Sequence, residues 1–264
     1  LTERPVTAAA SEAAAINTLA EAIVNARSTV VLTGAGVSVP SGIPDFRTPE
    51  TGMWANVDPM EVAHIETFRN EPERFWSFYG DRFASLGDKR PNGAHNALAE
   101  LEKRGLIDAV ITQNIDRLHH LAGTNDLIEV HGSIEVSRCL NCGAKYELEW
   151  VRDEAAKHGI PRCTECDLAP PLKPDVVLFG EMLPENALQR AFQLAGDADL
   201  MIAIGSSLVV HPVAGIPMIT LRSGGELAII TNGPTPYDDD AFIKLDGDVE
   251  QELEALLAAI DELP

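Results

Sequence analysis

Cysteine is scarce: the 264-residue chain has four, at positions 139, 142, 163 and 166. Aromatic residues make up 5% of it, and only six of its 20 basic residues are lysine. No apolar run approaches the roughly 18–20 residues needed to span a bilayer, so no membrane partner is expected. The beginning of the chain, at Leu1, has no basic stretch followed by an apolar core of the kind that directs secretion, and the expected location is cytoplasmic. Positive charge is also in short supply. Twenty basic residues face 41 acidic ones, a formal charge of -21. Such a surface repels phosphate backbones and anionic lipids, which argues against direct nucleic acid binding, and it attracts basic partners such as lysine-rich peptides. Acids spread along the whole chain with little lysine also fit a salt-adapted, halophilic surface.

Apolar residues make up 45% of the chain, enough for a sizeable core. Short apolar runs at Ser28–Thr33, Ile107–Thr112, Leu127–Val130, Asp175–Phe179, Asp199–Gly205 and Glu226–Thr231 alternate with helical patterns over Ser11–Arg27, Asn70–Leu86, Pro91–Arg104, 185–196 and 212–223. A last helix begins at Asp248, where Asp248 with Gln251 reads as a capping box. The alternation predicts an α/β fold: a Rossmann-like parallel sheet with helices on both faces. Residues 48–90 and 134–173 interrupt it. They are expected to form a smaller domain, a helical insertion plus a cysteine ribbon, beside a main domain of residues 1–47, 91–133 and 174–264.

The cysteines form two C-x2-C pairs separated by 20 residues. Two thiolates on each tight knuckle can converge on one tetrahedral ion, so Cys139, Cys142, Cys163 and Cys166 are expected to bind one structural zinc. Two disulfides or an iron site would have the same spacing; a cytoplasmic chain disfavours the disulfides.

The run Ser28–Thr33 leads directly into GAGVSVPSGIPDFR, Gly34–Arg47. A Gly-x-Gly after a strand suggests a phosphate loop, but the third glycine position of a dinucleotide fingerprint holds Val39, and Pro40 and Pro44 oppose an immediate helix. Ala35, Gly36 and Ser38 can offer N–H groups and a hydroxyl to phosphate, Arg47 a cation and Phe46 an apolar face. Three more polar stretches follow apolar strands, where open parallel sheets bind ligands: TQNIDRLH (112–119), VHGS (130–133) and GSSLVVHP (205–212). Taken singly, each has a plain alternative: a helix cap, a structural histidine, an ordinary turn.

Taken together, GAGVSVPSGIPDFR, TQNIDRLHHLAG, HG, the two cysteine pairs, KPDVVLFGE and GSSLVVHP occur in the order of the sirtuin family, and the sequence resembles that family over about residues 15–260. The resemblance implies an NAD-dependent protein-lysine deacetylase. NAD is a co-substrate that is split to nicotinamide and O-acyl-ADP-ribose as lysine is freed, and the partners are acyl-lysine peptides or proteins. By motif, His131 becomes the base and Asn114 a second catalytic group. The cofactor contacts become Gly34, Ala35, Gly36, Ser38, Val39, Asp45, Phe46, Arg47, Gln113, Asn114, Ile115, Asp116, His131, Gly205, Ser206, Ser207, Asn232 and Val249. Val177 and Phe179 fall in the segment that takes the peptide as an added strand.

Tyr79 and Arg82 stand three apart on an expected helix and share a face. A Tyr-x-x-Arg pair at this place resembles sirtuins that remove succinyl or malonyl groups, because the two side chains suit a carboxylate. Desuccinylation or demalonylation is therefore an alternative to deacetylation. Mono-ADP-ribosylation, which splits NAD without consuming an acyl group, is another, and a non-catalytic NAD sensor a third.

Overall fold

The computed structural model describes residues 8–45 and 57–263. The order begins α1 (Ala8–Asn25), β1 (Thr29–Thr33), a 3-10 turn over Ala35–Ser41, α2 (Pro59–Val62), α3 (Ile65–Asn70), α4 (Pro72–Leu86), α5 (Gly93–Lys103), β2 (Ala109–Thr112), α6 (Leu118–Ala122) and β3 (Leu127–Glu129). It continues with β4 (Gly132–Arg138), β5 (Lys145–Glu147), α7 (Leu148–His158), β6 (Lys173–Val176), α8 (Glu185–Asp197), β7 (Leu200–Ile204), α9 (Ile216–Arg222), β8 (Glu226–Ile230), β9 (Ile243–Leu245) and α10 (Val249–Asp261).

Six strands form a sheet in the order β3-β2-β1-β7-β8-β9, with every neighbouring pair parallel. Successive side chains of a strand point to opposite faces, and β1 shows the consequence. Val31 packs with Leu19, Leu98 and Leu253 on the side of α1, α5 and α10, while Val30 and Leu32 pack with Ala191, Ala195 and Ile216 on the side of α8 and α9. Both faces are buried, which is why these strands read as unbroken apolar runs. The chain leaves β1 toward β2 and β3 and later returns to lay β7, β8 and β9 on its other side. The strand order therefore reverses between β1 and β7, at whose carboxyl ends an open sheet leaves a crevice. This is the expected Rossmann-like α/β fold.

A second sheet, β5-β4-β6, is antiparallel. It shares a buried cluster with α2, α3, α4 and α7 that includes Phe68, Phe75, Trp76, Phe83, Ile134, Leu172 and Leu178. The rings of α4 meet mostly edge to face, as at Phe75–Trp76 (5.7 Å) and Trp76–Phe83 (5.7 Å).

Four expectations need correction. The run Asp175–Phe179 does not join the parallel sheet: β6 begins at Lys173 and pairs with β4. Its burial alternates, with Val176 and Leu178 buried and Phe179 exposed, so only one side is covered although the run is continuously apolar. The helix expected over Asn70–Leu86 is α4 and starts two residues later, at Pro72, where a missing N–H does no harm; Asn70 closes the preceding helix α3. The loop after β1, expected to be non-helical, winds into a 3-10 turn that contains Pro40 and stops at Gly42 in the left-handed region. Asp248 does cap α10 by accepting from the amides of Glu250 and Gln251, but the reciprocal box is on α5, between Asn92 and His95.

Candidate active site

The polar stretches converge on the carboxyl edge of the parallel sheet. Gly34 follows β1, Gln113–Asp116 follows β2, His131 follows β3, Gly205–Ser207 follows β7 and Asn232 follows β8. The first and fourth touch directly. The Gly34 amide donates to Ile204 O (3.0 Å) and the Gly36 amide to Gly205 O (2.8 Å). Gly205 has φ +60°, and a Cβ on it would lie 2.4 Å from the Val37 nitrogen, so only glycine permits this approach.

Behind that contact is a buried polar network. The Ser38 hydroxyl donates to Asp116 Oδ2 (2.6 Å), and Asp116 Oδ1 accepts from the Leu118 amide (2.9 Å). Asn114 Nδ2 donates to Gly34 O (3.0 Å) and Ser38 Oγ (3.2 Å). Both amide hydrogens are thereby committed, and Oδ1, an acceptor, is what Asn114 can offer a ligand. Gln113 Nε2 donates to Ser206 Oγ (2.8 Å). Burial raises the Asp116 carboxyl above its ordinary value, against the opposing pull of Ser38 and the Leu118 amide.

His131 is half-buried. Its Nδ1 lies 2.9 Å from Gln113 O. A carbonyl oxygen only accepts, so Nδ1 carries the hydrogen and Nε2 keeps the lone pair. Burial lowers the imidazole pKa, and the bond to Gln113 partly offsets this. At neutral pH the ring is an uncharged base aimed through Nε2.

Sequence reasoning missed the second layer. His95 Nε2 stands 3.4 Å from Ser38 Oγ and its Nδ1 3.0 Å from Asn92 Oδ1. His119 Nε2 lies 2.9 Å from Thr33 Oγ1, whose hydroxyl donates to Thr112 Oγ1 (2.8 Å). The two rings are 4.8 Å apart. Burial holds His95 down to about 4 and His119 to about 3, so both are neutral. Asn92 preceding a helix is a cap signal, but nothing local shows that the third residue of that helix reaches the site.

The remaining expected residues are dispersed. Val39 is exposed and Ala35 half-buried on the 3-10 turn, Ser207 and Asn232 are exposed, and Ile115 packs against the aromatic cluster. Val249 is in the core beneath α10. Asp45 is half-buried, and Phe46 and Arg47 lie outside the described residues. Val177 donates its amide to His131 O (2.8 Å), and Phe179 pairs with His64 of the α2–α3 junction. Tyr79 stacks on Phe75 (4.5 Å) and is pushed up to about 12, first by burial and then by Glu181, with Arg82 opposing. The Arg82 guanidinium lies 3.9 Å from the centre of the Phe78 ring.

The Sir2 family model matches residues 34–212 of this chain, more than half of it. The chain belongs to the Sir2, or sirtuin, family. A relative from Thermotoga maritima named NAD-dependent protein deacetylase is 47% identical over 84% of this chain and 89% of its own length. One of the same name from Sulfolobus acidocaldarius is 46% identical over 93% and 95%. Among solved structures, a Sir2–p53 peptide–NAD+ complex matches with TM-score 0.84 and 44% identity, covering 91% of this chain and 96% of that one. A Sir2 with a deacetylated p53 peptide and 3'-O-acetyl ADP ribose matches with TM-score 0.88 and 43% identity, covering 92% and 97%.

This sirtuin also brings its four cysteine sulfurs within 4.8 Å of one another. The Cys139–Cys166, Cys142–Cys163 and Cys163–Cys166 separations are 3.9, 3.6 and 3.6 Å. A zinc with Zn–S bonds of about 2.3 Å puts its sulfurs about 3.8 Å apart, so the set fits one tetrahedral ion and is far too open for disulfides. The Tyr146 hydroxyl donates to Cys163 Sγ (3.3 Å) and holds that thiol below its ordinary value. Four ligands leave no open position, so zinc would cross-link the ribbon and take no part in the reaction.

Proposed function

We propose that the protein is an NAD-dependent protein-lysine deacetylase, in which NAD is cleaved to nicotinamide, the acetyl group passes to the ADP-ribose and the lysine amine is released. The observation that carries this is the single tautomer of His131, a neutral imidazole with Nε2 as its basic atom at the edge where Gln113, Asn114 and Asp116 converge. His131 takes the proton from a ribose hydroxyl as that oxygen attacks the transferred acyl carbon. Asn114 Oδ1 accepts from a hydroxyl or carboxamide of the dinucleotide, and Asp116, held by Ser38, orients the same end. Gly34, Gly36 and Gly205 let backbone approach the phosphates closely. Val177 and Phe179 flank the acyl-lysine, whose cationic neighbours the acidic surface would attract.

A second reading, removal of succinyl or malonyl groups, is favoured by the placement of Tyr79 and Arg82 three apart on α4, where a phenol and a guanidinium on one side of the helix suit a carboxylate. The Glu181 carboxylate, close enough to raise the Tyr79 phenol, works against an acidic acyl chain. Among the described residues no helix is long and apolar enough to cross a membrane. Thiols grouped for a metal suit a reducing compartment, and on that ground we place the protein in the cytoplasm. The excess of acid we read as salt adaptation.

Mass spectrometry of the zinc-loaded protein with NAD and matched acetyl-, succinyl- and unmodified lysine peptides tests the assignment. Nicotinamide, O-acetyl-ADP-ribose and free lysine in equal amounts from the acetyl peptide are expected. Preference for the succinyl peptide would transfer the assignment to the second reading, and ADP-ribose left on protein would overturn both. His131→Ala is expected to abolish turnover while NAD still binds.

A further inference from the structure

Lys173 opens β6 with 8% of its surface exposed. Burying an ammonium costs several kcal/mol unless its hydrogens are all placed. Here they are: Nζ donates to Pro174 O (3.1 Å), Val176 O (2.9 Å) and Glu181 Oε2 (2.9 Å). The same carboxylate oxygen accepts from the Leu178 amide (2.9 Å), and the Glu181 amide returns to Leu178 O (3.0 Å). The peptide groups on either side of Val177 are thus both held by one ion pair, the carbonyl of Val176 by the ammonium and the N–H of Leu178 by the carboxylate. The first of these peptide groups also carries the Val177 N–H, which donates to the backbone oxygen of His131 (2.8 Å).

The connection to the imidazole is stiff. Gly132, next to His131, has φ +73° and faces Val176 across the β4–β6 pair, where a Cβ would lie 2.0 Å from Asp175 O. No side chain cushions the two backbones, so a shift of residues 175–177 moves residues 131–132. The other end of the segment is tied down too, by Phe179 N–H to Ala63 O and Ile65 N–H to Phe179 O (3.0 Å each). A buried ion pair returns little net stability compared with two apolar side chains of the same size; what it provides is direction.

We propose that Lys173 and Glu181 are positioning residues for His131: their ion pair fixes the backbone on both sides of Val177, and the Val177–His131 hydrogen bond passes that constraint to the imidazole held on Gln113 O. Its kinetic consequence rests on the deacetylase reading; its structural consequence does not.

Lys173→Met removes the ammonium and keeps most of its volume. Lys173→Met with Glu181→Met also removes the carboxylate that the single change leaves unpaired. Both are made in the full-length, zinc-loaded protein. Without NAD or peptide, NMR follows exchange of the Val177 and Leu178 amides and titration of the His131 imidazole. Both variants are expected to exchange these amides at least tenfold faster and to titrate His131 closer to an ordinary histidine. On the acetyl-lysine peptide, kcat is expected to fall about 10- to 100-fold, the scale of a small misplacement of a reacting group, with the KM for NAD within twofold of wild type. The double variant should melt closer to wild type than the single one and still have the low kcat. Recovery of kcat together with melting temperature would overturn the proposal, because the pair would then be packing only. Unchanged exchange and titration would overturn it as well. If the wild-type protein releases no free lysine, the deacetylase reading fails, while the NMR measurements still decide the role of the pair.

Discussion

The parallel sheet and the cysteine ribbon hold their functional groups in opposite ways. Ser38, Asn114, Asp116, His95 and His119 are fixed by burial between helices, and each is oriented by hydrogen bonds from elements far apart in sequence. Cys139, Cys142, Cys163 and Cys166 come from two local knuckles, and one cysteine is exposed. A well-covered sheet can impose unfavourable states on its side chains, such as histidines that stay neutral in acid. The three-stranded sheet has its cysteines on two knuckles at its rim, which a zinc would join. The difference teaches where each region should fail first.

Removing zinc should break the comparison most sharply. Structural zinc in small domains contributes on the order of 10 kcal/mol, so strong chelation should release the amides of β4, β5 and β6 to exchange while β1, β2 and β7 stay protected. Equal loss in both sheets would show that the regions are not separable. Next comes Gly205→Ala. The left-handed φ and the 2.4 Å approach to Val37 lead us to expect a loss of roughly 2–4 kcal/mol in urea unfolding, with the β4–β6 amides unaffected below the global transition.

Acid sharpens the comparison. His95 and His119 titrate near 4 and 3 in the folded chain, against an ordinary value near 6.5, so the unfolded chain binds more protons between these values. The stability of the parallel sheet should be intact above pH 6.5 and fall as pH drops through about 4 and then about 3. Exchange at β1 and β2 reads this apart from proton competition for the thiolates. The smallest effect is expected at Glu129, which burial pushes up to about 7. The folded chain therefore binds the extra proton, and stability declines as pH rises from about 4.5 through 7. Glu129→Gln should raise the melting temperature at pH 8 and change it little at pH 5; an equal gain at both would rule out this ionisation as the cause.

Much of this was legible locally. The runs at Ser28–Thr33 and Glu226–Thr231 read as buried parallel strands because both their faces are covered, and the cysteine spacing required little more than two knuckles meeting. The run at Asp175–Phe179 misled because apolar content does not say whether one face or two will be buried; the alternation of Val176, Val177, Leu178 and Phe179 appears only against the aromatic cluster. His95, His119 and Lys173 carry no local mark of their roles.

What the sequence determined by itself is the set of chemical possibilities: the strand–helix order, the metal-binding spacing, and glycines and polar residues placed just past strand ends, all of which depend on neighbours within a few residues. The tertiary structure decided which atoms are free to act. The His131 proton sits on Nδ1 because Gln113 O is there to accept it, Asn114 has only an acceptor to offer because Gly34 and Ser38 take its hydrogens, and Lys173 is a brace because Glu181 and two carbonyls surround it. Hydrogen-bond direction and burial depend on how the fold brings partners together, near in sequence for Lys173 and Glu181 and far apart for Asn114 and Gly34, and that information exists only once the chain has folded.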